Sequence, residues 1–205
     1  MRMLVVSDLH GEEAALEMVK ARAKDYDCVL VAGDIARERS FVEELLSASE
    51  RMLIIPGNGD PDFLEEAAGG KWLHGKRVEI GEGLNLVGFG YSPPTPFGTP
   101  GEFPEEKLYG WMKALPIDGK TIFVAHAPPY GFMDEARGEH AGSKAVLRIM
   151  EEKKPLVLAC GHIHEKEGVR KHGGTTVLKV GAANRGRCGE IEFGGGKLTC
   201  RNMEL

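Results

Sequence analysis

The sequence predicts an α/β fold in four layers, α/β/β/α, with two mixed β-sheets packed face to face and helices on both outer sides. Three observations carry this reading. Apolar runs of strand length alternate with amphipathic helical segments through the first and last thirds of the chain. Glycine turns join further strands as hairpins in the middle and near the C-terminus. The strands outnumber what one parallel sheet needs, and two packed sheets use them all.

Leu4 to Ser7 is the first strand. A helix over about 12–24 follows, with Ala15, Leu16, Val19 and Ala23 on one stripe and Glu12, Glu13, Lys20 and Lys24 facing water. Cys28 to Ala32, a helix over about 41–49 and Leu53 to Pro56 complete a βαβαβ start, whose right-handed crossovers make the strands parallel. Lys71 to Lys76 is strand-like, and it carries His74, read as a surface residue. Arg77 to Ile80 and Leu84 to Phe89 flank Gly81-Glu82-Gly83 as a hairpin. Residues 91–104, YSPPTPFGTPGEFP, hold five prolines and read as an ordered flap, since long loops inside compact domains are usually functional. Pro104 then opens a short helix. Thr121 to Ala125, a helix over about 143–153, Leu156 to Cys160 and Thr175 to Val180 return to strand and helix. Cys188 to Phe193 and Lys197 to Met203 close the chain as a hairpin around Gly194-Gly195-Gly196.

The chain has 205 residues and shows no linker or repeat, so 1–205 reads as one domain against a prior of about 150 residues. At this length roughly 70 % of the unfolded surface is buried, and no staple is required. Cys28, Cys160, Cys188 and Cys200 lack CxxC spacing and read as reduced thiols, three of them in apolar or strand-like segments, which fits a cytoplasmic location. The N-terminal apolar run is too short for a signal peptide and is used as the first strand; no segment reaches the length of a membrane span. A net charge of -5 argues against a broad nucleic-acid footprint. Glutamine is absent while Glu, Lys and Arg are abundant, a composition similar to that of proteins from hot environments.

Five apolar runs end in metal-ligand residue types: LVVSDLH with Asp8 and His10, VLVAGD with Asp34, LIIPGNGD with Asn58, TIFVAH with His126, and LVLACGHIH with His162 and His164. Strand ends are where open α/β sheets bind their ligands. Each motif also has a bland reading. Asp8 could cap the following helix, Gly33-Asp34 is a common turn, Asn58-Gly59 is a hairpin signal, and Asp60-Pro61 is a helix-capping pair. A lone His126 suits a hydrogen-bonded residue. His162-x-His164 is specific alone, because alternation in an extended segment points both rings the same way. Taken together, the five loaded strand ends favour a site for divalent cations. Carboxylate and imidazole suit Mn, Fe, Co, Ni or Zn better than Mg or Ca.

The ordered set D-x-H, G-D, G-N-x-D, strand-ending H and G-H-x-H, spanning residues 8–164, resembles the calcineurin-like metallophosphoesterase superfamily. The TPFGTPGEF stretch resembles its branch related to bacterial cyclic-nucleotide phosphodiesterases. The resemblance implies the metallo-dependent phosphatase fold and two divalent ions, manganese favoured. It implies that Asp8, His10, Asp34 and His164 hold one ion, and that Asp34 bridges to a second held by Asn58, His126 and His162. It implies hydrolysis of a small, nucleotide-like phosphodiester by a hydroxide shared between the ions. Two other uses of the same fold are a scaffold module and a nuclease; the acidic balance counts against the latter.

One position departs from the family pattern. The x of G-N-x-D is a histidine in well-known members, where it helps to protonate the leaving group, and here it is Gly59. General acid catalysis is typically worth 10²- to 10⁴-fold, so substrates with undemanding leaving groups are expected. Asp60, His74 or a metal-bound water are the stand-ins, with Asp60 and Asn58 carried forward as catalytic candidates. The Asn58 amide can also donate to a phosphate oxygen. His140 and His172 read as solvated, as do Arg185 and Arg187 in GAANRGR. Tyr91, Phe97 and Phe103 either stack on a base or pack the flap down.

Overall fold

A computed structural model describes residues 1–205. In chain order it runs β1 (Arg2–Val6), α1 (Glu13–Ala23), β2 (Cys28–Ala32), α2 (Arg39–Ser47), β3 (Met52–Ile55), α3 (Leu64–Ala68), β4 (Arg77–Gly81), β5 (Leu84–Phe89), α4 (Glu105–Lys113) and β6 (Thr121–Ala125). It continues with β7 (Glu135–Ala136), β8 (Glu139–His140), α5 (Lys144–Lys153), β9 (Val157–Cys160), β10 (Gly168–His172), β11 (Thr175–Lys179), β12 (Arg187–Gly194) and β13 (Lys197–Glu204).

Two mixed sheets result, as expected. The first has the order β13-β12-β1-β2-β3 and the second β10-β11-β9-β6-β5-β4. In the first, β1, β2 and β3 are parallel, while β12 and β13 join antiparallel. In the second, β5, β6, β9 and β11 are parallel, with β4 and β10 antiparallel at its edges. The parallel strands read as unbroken apolar runs because both of their faces are covered. In β1, Leu4 and Val6 face α1 and α2 together with Leu16, Val19, Val42 and Leu45. Met3 and Val5 face the opposite way, into a core between the sheets with Leu30, Ile55, Leu86, Ile122 and Val157. The second sheet buries Val87, Phe123 and Leu158 against α4 and α5 through Leu108, Met112 and Ile149. Four layers with three apolar seams follow from strands that are hydrophobic on both sides. No helix is long and apolar enough to cross a membrane.

The turns follow from their residues. In the β4–β5 hairpin Gly81 pairs with Leu84, and Glu82 and Gly83 between them both have positive φ. In the β12–β13 hairpin Gly194 pairs with Lys197 around Gly195 and Gly196, again both positive, as a two-residue hairpin loop requires. Two features lie outside the sequence reading: the small β7–β8 ribbon, and β10, an edge strand of sequence GVRKH. Almost all of β10 is exposed, and it has no apolar period to betray it.

His74 corrects an expectation. No strand forms over 71–76; Gly69–Lys71 is a 3-10 turn, after which Trp72 and Leu73 enter the core. The chain then bridges His74 to Gly88 and draws the imidazole among the rings of Trp72, Phe89 and Tyr91, with centroids 5.7, 5.1 and 4.8 Å away. Its Nδ1 accepts the Gly90 N–H at 2.8 Å. Burial pushes the ring down to about 4, so it stays neutral where an unfolded histidine takes up a proton. Between pH 6.5 and 4 the unfolded chain therefore binds more protons, and this contribution to stability is lost as pH falls through that window. Partial exposure reduces the effect to on the order of 1 kcal/mol. His74→Phe is expected to lessen the loss of stability between pH 7 and pH 5, measured by urea unfolding of metal-free protein. An identical loss in both proteins would show that His74 does not carry it.

Candidate metal centre

All seven predicted ligands leave the C-terminal ends of parallel strands: Asp8 and His10 after β1, Asp34 after β2, Asn58 after β3, His126 after β6, and His162 and His164 after β9. The two sheets bring them into two groups. Asp8, His10 and His164 form one, and Asp34, His126 and His162 the other, with the ligand atoms of each group within 4.8 Å of one another. Asn58 adjoins the second group, its Oδ1 2.9 Å from His126 Nε2. His10, Asp34, Asn58, His162 and His164 line a cleft of about 440 Å³, rimmed by Arg37, Glu38, Phe97 and Thr99, with Asp8 and His126 fully buried behind them.

The backbone is bent to achieve this. Four of the nine non-glycine residues with positive φ are Asp8 (59°), His10 (51°), Asp34 (52°) and His162 (73°). Asp and His tolerate the left-handed region better than most residues, yet each such conformation costs of order 1–3 kcal/mol and persists only where its surroundings impose it. The surroundings are main-chain bonds between neighbouring loops. Asp8 N–H donates to Gly33 O and His10 N–H to Asp34 O, both at 3.0 Å, while His162 N–H donates to Asp8 Oδ2 at 2.9 Å. Two glycines allow the loops to touch. A Cβ on Gly57 would lie 2.0 Å from Asp34 Oδ1, and one on Gly161 would lie 1.9 Å from Ser7 Oγ.

Three of the bland readings fail, whereas His126 is indeed hydrogen-bonded, to Ala32 O and Asn58. Asp8 caps nothing, because the N-cap of α1 is Glu12 without a side-chain bond. No strand pairs back across Asn58-Gly59. Asp60 is not the cap of α3, whose N-cap is Phe63. Asp60 instead accepts two main-chain N–H groups at 2.7 Å, Ile35 on Oδ1 and Gly57 on Oδ2, and so ties the loop after β2 to the loop after β3. Burial and then the neighbouring Asp34 push its carboxyl up to about 6. It is within reach of the cleft, but two main-chain N–H groups hold both of its oxygens in place between the loops.

Two contacts test whether the residues fit a cation. Asp8 Oδ1 is buried and receives no hydrogen bond, although His164 Nε2 lies 3.2 Å away in poor alignment for one. Burial raises the Asp8 carboxyl, but the His164 contact, then the charges of His126 and Lys179, outweigh it and hold the group far below the usual carboxylate range. The second contact is His126. Its Nδ1 lies 2.7 Å from Ala32 O, which can only accept, so the neutral ring is protonated there and turns the Nε2 lone pair to the cleft. That lone pair meets Asn58 Oδ1, because the Asn58 amide nitrogen is engaged elsewhere, donating to Thr99 Oγ1 at 2.7 Å. With the ring neutral, two acceptors face each other and repel unless a positive charge, a divalent ion beside both or a second proton on the imidazole, relieves them. Burial, reinforced by the charge of His126, pushes His162 down to about 3, which keeps it a neutral lone-pair donor. The donor set of carboxylate, amide oxygen and imidazole suits borderline divalent ions. Cys160, close in sequence, lies in the core with its thiol pushed up to about 12 by burial, and is not among the cleft residues.

Several other readings resolve here. Tyr91 and Phe103 pack the flap against Trp111, whereas Phe97 is 78 % exposed at the rim of the cleft. Arg187 is not in a loop; it lies in β12 and pairs with Glu167. Arg185 is exposed and donates to His164 O at 3.1 Å. His140 is exposed but bonded to Asp134, and His172 is exposed beside Glu151. Lys179 escaped the sequence reading. It is 1 % exposed and donates to Ile163 O and Val180 O at 2.6 and 2.9 Å, clamping the loop that carries both His162 and His164. Its signal was one charge inside the apolar run TVLKV, since a fully buried lysine must be paired.

The family model of the calcineurin-like phosphoesterase superfamily domain matches residues 1–197. The protein MJ1162 of Methanocaldococcus jannaschii is 35 % identical over 192 residues, which cover 87 % of this chain and 87 % of that one. CpdA, the 3′,5′-cyclic adenosine monophosphate phosphodiesterase of Escherichia coli K12, is 28 % identical over 182 residues, covering 80 % of this chain and 64 % of the enzyme. Among solved structures, a dimetal phosphatase from Danio rerio superposes with a TM-score of 0.67 at 13 % identity, covering 100 % of this chain and 96 % of that one, a likeness of fold. A match over nearly the whole length, on a fold with cation-ligand groups at its parallel strand ends, places this chain in the calcineurin-like phosphoesterase superfamily.

Proposed function

We propose that the protein is a dinuclear metal-dependent phosphoesterase that hydrolyses small phosphodiesters with good leaving groups. The observation that carries this is the buried Asp8 Oδ1 without a donor, joined, when His126 is neutral, by its Nε2 lone pair against Asn58 Oδ1. Asp8, His10 and His164 would hold one ion and Asn58, His126 and His162 the other, with Asp34 shared, manganese being favoured. Bound divalent ions at such a centre supply Lewis acidity, making water a nucleophile near neutral pH and neutralising charge on the phosphoryl oxygens.

The chain's own residues do the rest. His162 offers a neutral ring across the whole working pH range. Asp34 Oδ1 accepts the Gly59 N–H at 2.8 Å, which fixes the carboxylate plane and leaves Oδ2 towards His126. Arg37 at the rim carries the positive charge a phosphate attracts, and the exposed face of Phe97 suits an aromatic substituent. Gly59 provides no proton for the leaving group, and Asp60 is engaged by two N–H groups. The similarity to CpdA, a cyclic-nucleotide phosphodiesterase, supports a diester over a monoester.

Purified protein with added manganese is expected to turn over bis(p-nitrophenyl) phosphate. Asp34→Asn and His126→Ala should each lower kcat/KM by about 100-fold or more, at least the upper range seen when a ligand's outer partner is lost. Absence of turnover with every one of Mn, Fe, Co, Ni and Zn sinks the proposal. The missing acid predicts a second result. Exchanging a p-nitrophenyl for an alkyl leaving group should slow kcat by more than about 10², the scale of general acid catalysis. Equal rates for both esters would mean that an acid is present after all.

A further inference from the structure

The flap lies directly on Asn58. Gly101 N–H donates to Asn58 O at 2.9 Å, and a Cβ on Gly101 would be 2.8 Å from Asn58 Cα. Inside the flap, Glu102 gathers four donors. Oε1 accepts the Thr95 and Thr99 hydroxyls at 2.6 Å and the Thr99 N–H at 2.8 Å, while Oε2 accepts the Thr95 N–H at 2.8 Å. A carboxylate only accepts, so the single hydroxyl proton of Thr99 goes to Glu102. What remains on Thr99 Oγ1 towards Asn58 is a lone pair, and it takes the amide N–H at 2.7 Å. The chain of donors thus has one direction, from Asn58 through Thr99 to Glu102.

That direction decides which end of the Asn58 amide faces the cleft. An amide oxygen can ligate a cation, whereas an amide NH2 has no lone pair to offer. At the other end, a neutral His126 ring with its proton on Nδ1 towards Ala32 O presents an acceptor at Nε2 and does not draw the amide oxygen to itself. We propose that Thr99, held by Glu102, is a positioning residue for the His126 half of the centre, setting the Asn58 amide oxygen-first towards the cation. The flap is then part of the metal site as well as its rim. The inference rests on the metal-dependent reading of the site given above.

The test is manganese binding to the full chain after chelation, titrated by calorimetry and fitted to two sites, beside the melting temperature of the metal-free protein. Thr99→Val and Thr99→Ala both remove the hydroxyl, one filling its space and the other opening it. Each is expected to weaken one of the two sites about 10-fold, the lower end of the effect of losing a ligand's hydrogen-bond partner, and to leave the other site unchanged. Thr99→Ser, which keeps the hydroxyl, is expected to bind like wild type. The idea is overturned if either hydroxyl-free variant binds both ions with wild-type affinity. It is equally overturned if Thr99→Ser is as weak as Thr99→Val, since the methyl and flap packing would then be what matters. Wild-type protein that binds no manganese would remove the metal-dependent reading itself, a result distinct from two normal sites in Thr99→Val.

Discussion

Lone pairs turned towards lone pairs are the constraint to which this structure answers. Carboxylate, amide and imidazole acceptors converge at the mouth of two sheets, and such groups repel when no positive charge lies among them. Holding them together takes several devices at once. Glycines at 57 and 161 allow loops to touch, four ligands adopt left-handed backbone, Asp60 ties two loops, and Lys179 clamps a third. Each is unfavourable or neutral for folding alone. They make sense together as preorganisation, in which the polypeptide bears the reorganisation before a cation arrives.

Much of this was legible in the sequence because the physics is local. A strand buried on both faces must be an unbroken apolar run, so VVS, VLVAG and TIFVA announced themselves, and the polar residue after each run marked where the chain leaves the core. The ligand types were readable for the same reason. His74 was misread because its burial arises from a bridge to Gly88, fourteen residues on, which no local period records. β10 was missed because an exposed edge strand has no apolar alternation. Lys179 lay outside any motif, and the Thr99–Glu102 pair lay inside TPFGTPGEF with no sign of its role, since their partners come from distant loops or from ordinary turn residues.

The chemistry is asymmetric in the same way. In the proposed hydrolysis, the side that needs a nucleophile and a charge clamp is crowded with oriented groups, while the side that needs a proton has a glycine. A side chain at position 59 would begin 3.3 Å from Asp34 Oδ1, a tight fit beside a ligand. Nearby, the Gly59 N–H serves that same oxygen.

The ligands are also divided between the two sheets. Asp8 and His10 leave the first sheet and His164 the second; Asp34 and Asn58 leave the first, His126 and His162 the second. A cation gripped by either group is thus a clasp across the sandwich, at the end where the apolar seam between the sheets gives out. In the proposed centre, occupancy and the separation of the sheets become one thermodynamic variable. Whatever draws the layers together raises the affinity for the ion, and whatever pries them apart releases it.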